Sequence, residues 1–301
     1  MTKPDYQKLI DPEIWSFIEE TGRFYPENTA TFPVEAQRDV YDRMCEAFRA
    51  PRPEGIVCQD ETITGVPVRH YLPAVPRGML VYFHGGGFVV GGLHSHDDVC
   101  AEIAAHCRLH VVSVDYRLAP EHVHPAAFDD ALSVTRHLIA NGPVILAGDS
   151  AGGCLAASVA QALRGPALQG MVLIYPGLGG DPDGPEMHDH AQAPMLTRDD
   201  VLAYATLRAG GEAPAQDPSF APLAAEDFSG LPECFIHVAE CDPIAGDGPA
   251  YAKRVTQSGG KATCFVDQGL VHGWLRARHR SIRAREAFAR ILQSVDRLCP
   301  V

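Results

Sequence analysis

The sequence predicts an α/β protein whose central sheet is mostly parallel and covered by helices on both faces. Short apolar runs, such as VILA at 144–147, alternate along the chain with longer segments of helical periodicity. That alternation is typical of βαβ units. The chain has 301 residues, 46% of them hydrophobic, which is enough to bury one large core. We therefore expect a single domain over residues 1–301.

The predicted elements follow one another in βαβ order. Strands are predicted near 66–71, 79–83, 111–114, 144–147, 171–175, 234–238 and 262–266. Helices are predicted near 96–107, 126–140, 151–164, 248–258 and 280–297. In a sheet of this kind the functional site lies at the carboxyl ends of the strands.

Two segments fall outside this alternation, residues 1–50 and 180–212. In the first, Asp11 and Pro12 resemble the N-cap and first residue of a helix. In the second, Thr197 opens a short amphipathic helix that a glycine pair closes. We expect both segments to form a cap over the site. The alternative is that they are ordinary helices packed on the core.

A sharp strand-to-helix turn is predicted at GDSAG, residues 148–152. An apolar strand ends just before it, and a stretch of small residues suited to a helix follows. The pattern G-x-S-x-G is the sequence form of a nucleophile elbow, in which flanking glycines tolerate the tight reversal. Gly148 and Gly152 are those flanks, and Ser150 is the candidate nucleophile.

A second glycine motif, HGGGF, follows the strand predicted at 79–83. Three glycines in a row leave backbone N–H groups bare, as an oxyanion hole for acyl transfer requires. The motif contributes Gly85, Gly86 and Gly87, and we expect the His84 ring to hold the loop through hydrogen bonds. The pairing of an HGGG loop with a serine elbow is a known signature of lipases and esterases.

Five ordered blocks make this chain resemble the hormone-sensitive-lipase-like branch of the α/β-hydrolases. The blocks are HGGGF, DYRLAPEH at 115–122, GDSAGG, CDPIAGDG at 241–248 and VHGW at 271–274. The likeness extends from about residue 60 to the end of the chain. It implies an α/β-hydrolase fold with a helical cap. It also implies a serine carboxylesterase that acts on short-chain acyl esters through an acyl-enzyme, without a metal or organic cofactor.

A serine nucleophile needs a base, and in this fold the chain order is Ser, then Asp or Glu, then His. That order leaves five histidines as candidates: His188, His190, His237, His272 and His279. Only His272 follows the last predicted strand by a short glycine-containing loop, from which a side chain can return over the sheet. We therefore predict that His272 is the base.

Four downstream carboxylates compete to orient that base: Glu240, Asp242, Asp247 and Asp267. Asp242 lies in the turn after the strand CFIHVAE, where Pro243 stops the strand at the carboxyl edge of the sheet. It also aligns with the acid of the family. Asp242 is the predicted acid, and Asp247 is the second candidate. The alternative roles for Asp247 are a helix cap or a carboxylate that supports the site.

The resemblance, together with the elbow geometry, also predicts the oxyanion donors. The backbone amide of Ala151, which follows the nucleophile, joins the amides of Gly86 and Gly87.

Charge excludes one class of partner. The formal net charge is -13, with 25 basic and 38 acidic residues, so we expect no nucleic-acid binding. The basic cluster from Arg276 to Arg285 is predicted to be a solvated face of the C-terminal helix. The expected partner is a small-molecule ester, and the sequence leaves homo-oligomer formation open.

Nine scattered cysteines form no CxxC pair, which argues against a zinc site. His94, His96 and Asp97 are predicted to be a solvated helix start rather than a metal cluster. The first residues lack the apolar segment of a signal peptide, and no run is long enough to cross a membrane. We expect a reduced, cytoplasmic protein with no membrane insertion.

Two alternatives to an esterase remain at this stage. An amide or carbamate hydrolase uses the same machinery, and a non-catalytic member of the fold binds a small molecule without turnover. The chain also departs from the family pattern at His124, Ala245 and Trp274. Of these, Trp274 is expected to alter the shape of the pocket beside the histidine loop.

Overall fold

A computed structural model describes residues 4–26 and 28–299, and an eight-stranded sheet forms its centre. The strands are Val57–Ile63 (β1), Val66–Leu72 (β2), Met79–Phe83 (β3), His110–Val114 (β4), Val144–Asp149 (β5), Leu168–Ile174 (β6), Cys234–Cys241 (β7) and Ala262–Val271 (β8). Their spatial order is β1-β2-β4-β3-β5-β6-β7-β8. β2 pairs antiparallel with β1 and β4, and all other pairs are parallel. The predicted α/β class with a mostly parallel sheet is confirmed.

Helices connect the strands and cover the sheet. They are Tyr6–Leu9 (α1), Pro12–Gly22 (α2), Val34–Phe48 (α3), Asp97–Cys107 (α4), Ala126–Leu138 (α5), Ala151–Leu163 (α6), Pro185–Asp189 (α7), Arg198–Ala209 (α8), Asp247–Gln257 (α9) and Ile282–Leu298 (α10). Short 3-10 turns lie at Thr29–Thr31, Ile139–Asn141, Pro222–Ala224 and Trp274–Ala277.

The sheet separates two apolar clusters, as its continuous hydrophobic strands require. In β3, Leu80 and Tyr82 pack on the side covered by α4 and α10. Val81 and Phe83 pack on the opposite side, against α5, α6 and α9. Successive side chains of a strand point to opposite faces, so a strand buried on both faces is apolar at every position.

Strand β1 is absent from the sequence prediction. Its sequence, VCQDETI, is mostly polar, and most of its side chains are exposed. It lies at the edge of the sheet and has one neighbour, β2. Charged, exposed edge strands protect a sheet against further pairing, and they lack the apolar signal by which buried strands are found.

The helix boundaries predicted in the two outer segments are present. The Asp11 side chain accepts a hydrogen bond from Ile14 N at 2.9 Å, with Pro12 as the first helical residue of α2. Thr197 and Asp200 form a reciprocal capping box on α8, which Gly210 ends. In α2, Ile14 and Phe17 are buried in the core, so this segment also packs as an ordinary helix.

The prediction of a solvated basic face at Arg276–Arg285 is wrong for its first members. Arg276 is 6% exposed and Arg278 is 1% exposed. The reason is local: the chain turns through Trp274–Ala277 before α10 begins at Ile282, and this turn runs inward. Arg278 forms ion pairs with Asp98 and Glu102 on α4, which offset the cost of burying its charge.

The prediction of a solvated start of α4 is correct for His94, which is exposed, and wrong for the other two members of that cluster. His96 and Asp97 are 2% and 3% exposed. Asp97 accepts hydrogen bonds from Arg52 at 2.6 Å, and from Arg69 and Tyr71 at 3.0 Å. A carboxylate with three such donors is stable in a buried position. The residues next to Asp97 in sequence do not reveal these donors, because all three come from other segments of the chain.

All nine cysteines lie in the described part of the chain and are free thiols. Across residues 4–26 and 28–299, no helix has both the length and the apolar content that a membrane span requires.

The buried Arg278 gives a stability prediction. Arg278→Ala leaves Asp98 buried beside an empty space, and removing one partner of a buried pair costs about 3 to 5 kcal/mol of unfolding free energy. Arg285→Ala is the control, because that exposed side chain changes stability by about 0.5 kcal/mol or less. Urea denaturation of both variants measures the difference. Equal midpoints would show that the buried pair contributes nothing.

Candidate active site

Ser150 stands between β5 and α6 in a strained backbone conformation. Its φ is 53° and its ψ is −115°, a region that residues with a side chain rarely adopt. Because the chain reverses here within one residue, the hydroxyl stands at the carboxyl end of the sheet, ahead of the first turn of α6. The sequence thus folds into the sharp turn that the G-x-S-x-G pattern predicts.

The flanking glycines are needed for close approach rather than for unusual dihedral angles. A Cβ at Gly152 would lie 1.9 Å from the carbonyl oxygen of Phe83, and one at Gly148 would lie 2.4 Å from the backbone of Gly152. The positive φ belongs to Ser150 itself. The sequence pattern predicts that the flanking glycines tolerate the tight reversal; in the structure the strained backbone is at the serine, and the glycines leave the space that the turn needs.

His272 forms hydrogen bonds with both of its predicted partners. Its Nε2 lies 2.8 Å from Ser150 Oγ, and its Nδ1 lies 2.7 Å from Asp242 Oδ2. Asp242 is 1% exposed, and its other oxygen accepts the backbone N–H of Ile244 at 3.0 Å. In this arrangement Nδ1–H donates to the carboxylate, which leaves Nε2 free to accept the serine proton.

His272 directly follows a strand, not the predicted glycine loop. β8 continues to Val271, and Gly269 lies within it at a φ of 68°. Glycine permits this positive φ, so the strand bends there and still pairs with β7, where Cys241 faces Val271. This pairing sets Asp242 beside His272, because these two residues directly follow Cys241 and Val271 in the chain.

The competing histidines lie elsewhere. His237 Nε2 contacts Ser294 Oγ at 3.1 Å inside the core, and His279 Nε2 lies 2.8 Å from Glu102. His190 Nδ1 pairs with the Tyr6 hydroxyl at 3.0 Å, and His188 is exposed on α7.

The other candidate acids also have different partners. Glu240 accepts the N–H of Gly269 at 2.6 Å, and Asp267 pairs with Arg290 at 2.7 Å. Asp247 accepts the N–H of Leu178 at 2.6 Å and has no side-chain role in capping α9. It supports the loop after β6 and does not act as a helix cap.

The glycine loop after β3 lies beside Ser150. Gly86 and Gly87 have φ values of 126° and 60°, and they line one cavity together with Ser150 and His272. Within residues 4–26 and 28–299, no protein acceptor is bonded to the amides of Gly86, Gly87 or Ala151. Three bare N–H groups therefore lie near the serine, as an oxyanion site requires.

Asp149, the residue before the serine, holds that loop in place. Its carboxylate accepts hydrogen bonds from Tyr82 Oη at 2.8 Å, Gly85 N at 3.0 Å and His96 Nε2 at 3.2 Å. Burial alone raises the pKa of Asp149, but the interaction with His96, the Tyr82 hydrogen bond and the nearby Arg276 charge together outweigh burial and hold the pKa below its usual range. The carboxylate is thus a permanent acceptor under the loop.

His84 is fully buried and stacks on Tyr116, with ring centroids 4.3 Å apart. Its Nδ1 lies 2.8 Å from the carbonyl oxygen of Gly85, and its own carbonyl accepts the Tyr116 hydroxyl at 2.6 Å. Burial lowers the pKa of His84 to about 3, so its ring is neutral. These contacts fit the structural role that we predict for it.

Sequence reasoning missed three buried residues next to the site: Asp149, His96 and Arg276. Arg276 donates to the carbonyl of Ser95 and lies 3.2 Å from His96 Nε2. One signal was available for Asp149, because a carboxylate at the end of a buried strand needs donors. For His96 and Arg276 the partners come from distant parts of the chain.

The site opens into a cavity of about 420 Å³. Both outer segments form its walls. Residues 1–50 contribute side chains from α2, α3 and the chain between them, and residues 180–212 contribute the start of α8 and the residues before it. The wall residues from the two segments are Ile18, Thr21, Gly22, Tyr25, Tyr41, Met44, Met195, Leu196, Asp200 and Tyr204. These segments therefore line the site, and their action as a cap stays a prediction.

The three departures from the family pattern do not contact the serine. His124 Nε2 lies 3.0 Å from Asp217, and Ala245 lies in the turn before α9. Trp274 is fully buried and packs edge-on against Tyr175. The ring centroid of Tyr175 lies 4.9 Å from that of His272. Trp274 thus acts on the pocket through Tyr175, which lines it.

Within the part of the chain that the structure describes, no group of three or more His, Cys, Asp or Glu side chains is placed to hold a metal ion.

Known proteins resemble this chain in sequence. A family model described as alpha/beta hydrolase fold matches residues 80–276. The chain is 38% identical over 253 residues to Carboxylesterase NlhH of Mycobacterium tuberculosis, covering 78% of this chain and 79% of the relative. It is 32% identical over 250 residues to Ethyl acetate hydrolase of Pseudomonas putida, covering 77% and 78%.

Solved structures resemble this chain in fold. An esterase of Pyrobaculum calidifontis superposes with a TM-score of 0.86 and 29% identity, covering 96% of this chain and 99% of that one. An esterase of the bacterial hormone-sensitive lipase family superposes with a TM-score of 0.85 and 28% identity, covering 96% and 98%.

The buried Asp247 gives a prediction about pH. Burial, with a contribution from the like charge of Asp242, raises the pKa of Asp247 from 3.8 to about 6. The folded state therefore prefers the protonated form, and the contribution of Asp247 to wild-type stability falls as pH rises from about 4 to above 6. Asp247→Asn cannot ionise and escapes this loss.

We expect the free energy of unfolding of Asp247→Asn, relative to the wild type, to rise by about 2 kcal/mol between pH 4 and pH 7. Urea denaturation at both pH values measures it, and the comparison removes any pH-independent cost of the substitution. A constant difference between the two proteins would contradict the raised pKa.

Proposed function

The chain belongs to the hormone-sensitive-lipase-like branch of the α/β-hydrolase fold family and is a carboxylesterase, and we propose that Ser150, His272 and Asp242 hydrolyse its ester through an acyl-enzyme. The observation that carries this proposal is the continuous hydrogen-bonded series from Ser150 Oγ to His272 and on to Asp242. Such a series is the arrangement in which a serine becomes a nucleophile at neutral pH.

In the first half-reaction, His272 Nε2 accepts the Ser150 proton while Oγ bonds to the ester carbonyl carbon. The carbonyl oxygen gains a negative charge. His272 then gives its proton to the alcohol oxygen, the bond from the carbonyl carbon to that oxygen breaks, and the acyl group remains on Ser150.

In the second half-reaction, a water molecule takes the place of the alcohol. His272 accepts a proton from the water as its oxygen bonds to the acyl carbon. The same proton returns to Ser150 Oγ when the acyl-enzyme bond breaks, and the carboxylic acid leaves. The serine and the imidazole end in their starting states.

The negative oxygen of each tetrahedral intermediate is stabilised by backbone amides. We assign this role to Gly86, Gly87 and Ala151, since their N–H groups have no acceptor within the described chain and two of them share the cavity with Ser150. The positive N-terminal end of α6 adds to this field. Fixed amides of this kind stabilise charge that develops only in the transition state.

Asp242 keeps the imidazole in the required tautomer and stabilises its charged form. It is 1% exposed, so water does not compete with its 2.7 Å contact to His272 Nδ1. The N–H of Ile244 fixes the carboxylate from its other side. Orientation of the base before the reaction is the role of the acid in such a triad.

We propose short acyl esters, such as acetyl or butyryl esters, as substrates. The cavity of about 420 Å³ is at the small end of the range for ligand sites, which is about 300 to 1,000 Å³. Its walls hold tyrosines from both outer segments, Tyr25, Tyr41 and Tyr204, which limit the length of a bound chain. A relative named Ethyl acetate hydrolase supports the same size class.

Three further expectations stay predictions: a cytoplasmic location, absence of nucleic-acid binding, and homo-oligomer formation as an open possibility. The nine free thiols support a reducing compartment. The net charge of -13 supports the second expectation.

Replacing the nucleophile is the first test. Ser150→Ala should lower kcat for p-nitrophenyl acetate by roughly 10⁴- to 10⁶-fold, because no acyl-enzyme can form. Wild-type enzyme should show a burst of one p-nitrophenol per active site if release of the acyl group is slow. Ser158→Ala, on the same helix and hydrogen-bonded to Pro218, is the matched control and should keep activity. Undiminished turnover by Ser150→Ala would end the proposal.

Acyl-chain length is the second test. A series of p-nitrophenyl esters from acetyl to palmitoyl should show the highest kcat/KM for acyl chains of roughly two to four carbons. A cavity of this volume leaves part of a longer acyl chain outside it. Tyr204→Ala should shift the optimum to longer chains by opening one wall. An optimum at palmitoyl in the wild type would contradict the size limit.

A further inference from the structure

A buried arginine on α8 contacts the loop that carries Gly86 and Gly87. Of the twelve residues of α8, only Arg208 is buried, at 6% exposure. Burying a guanidinium has a large desolvation cost, so its surroundings must compensate for it.

Two aromatic rings and two carbonyl groups hold this guanidinium. Its Cζ lies 3.7 Å from the ring centroid of Phe88 and 4.1 Å from that of Phe220. Nη1 donates to the carbonyl oxygen of Phe220 at 2.9 Å, and Nη2 donates to that of Ser219 at 3.2 Å. The cation thus lies over the faces of both rings while it donates to two carbonyls, a set of contacts that the single ammonium of a lysine does not reproduce.

No carboxylate lies within ion-pair distance of Arg208 in residues 4–26 and 28–299. The contacts that offset the cost of burying this charge are therefore those with Phe88, Phe220 and the two carbonyl groups. An arginine held in this way depends on the exact placement of the rings and, in return, restricts where those rings can move.

Phe88 is the residue directly after Gly87 and has an unfavourable φ of 65°. One turn before Arg208, the ring of Tyr204 lies so close to Gly87 that a Cβ there would be 2.5 Å from it. Nη1 of Arg208 is also 3.6 Å from the sulfur of Cys154, in the first turn behind Ser150. α8 therefore contacts the glycine loop at two consecutive residues and reaches the nucleophile helix.

We propose that Arg208 is a positioning residue for the oxyanion hole. By stacking on Phe88 it holds the strained Gly87–Phe88 backbone, and so keeps the amides of Gly86 and Gly87 directed at the developing oxyanion. This inference rests on the proposed function, in which those two amides are the donors. It gives α8 a part in the chemical step in addition to its place in the cavity wall.

Arg208→Met tests the proposal, because methionine fills much of the same space without the planar cation. We expect kcat for p-nitrophenyl acetate to fall about tenfold while KM changes by less than about twofold, since a stacking contact on the loop is lost. The affinity for phenylboronic acid, whose serine adduct is tetrahedral, should fall in proportion to kcat. Arg208→Lys should recover little of the loss.

Arg198→Met, at the other end of the same helix, is the control. Arg198 pairs with the exposed Asp183 and does not line the cavity, so kcat should stay at the wild-type level. Titration with a fluorophosphonate gives the concentration of active serines, so that kcat is expressed per working site and a loss of folded protein is not counted as slower chemistry.

If Arg208→Met does not fold, Phe220→Leu removes one ring of the stack and should reduce kcat in the same pattern. A kcat per titrated site equal to that of the wild type, or a change confined to KM or to thermal stability, would overturn the positioning role. Failure of wild-type enzyme to react with the fluorophosphonate would instead overturn the proposed function.

Discussion

The close approach of two backbone segments, the end of β3 and the start of α6, is the constraint on which the site depends. At Gly152 the separation is so small that a Cβ would lie 1.9 Å from the carbonyl oxygen of Phe83. This contact sets the glycine loop beside Ser150, and the Asp149 carboxylate then accepts the N–H of Gly85. The nucleophile and the proposed oxyanion donors are therefore positioned by one packed junction, which tolerates only glycine at its narrowest point.

Around that junction, buried charged and polar side chains form a hydrogen-bonded series. Burial lowers the pKa of His96, and its ring lies between the Asp149 carboxylate and the Arg276 guanidinium. Arg276 belongs to the turn just after His272, so this series connects the elbow, the start of α4 and the histidine loop. Each of these three buried groups has a hydrogen-bond partner within the series, and satisfied buried polar groups rigidify a core, here around residues whose relative positions catalysis requires.

Much of this arrangement could be predicted from sequence, because its signals are local. The apolar strands, the G-x-S-x-G turn and the HGGG loop each encode a conformation within a few residues. Chain order then limited the candidates for base and acid, and position after a predicted strand, together with the family resemblance for the acid, selected His272 and Asp242. The misses have a common physical cause. β1 is a polar edge strand, and Arg276, Arg278 and His96 are buried only because partners distant in sequence compensate them. No local pattern distinguishes such a charge from a solvated one.

The central claim is that the fold brings Ser150, His272 and three bare amides around one reacting carbon. A crystal structure of the protein inhibited by an organophosphonate ester tests it most directly, since the adduct imitates the tetrahedral intermediate. We predict phosphorus bonded to Ser150 Oγ, with the phosphoryl oxygen about 2.7 to 3.1 Å from the amides of Gly86, Gly87 and Ala151. Phosphorus on another residue, or a phosphoryl oxygen directed away from these amides, would contradict the claim.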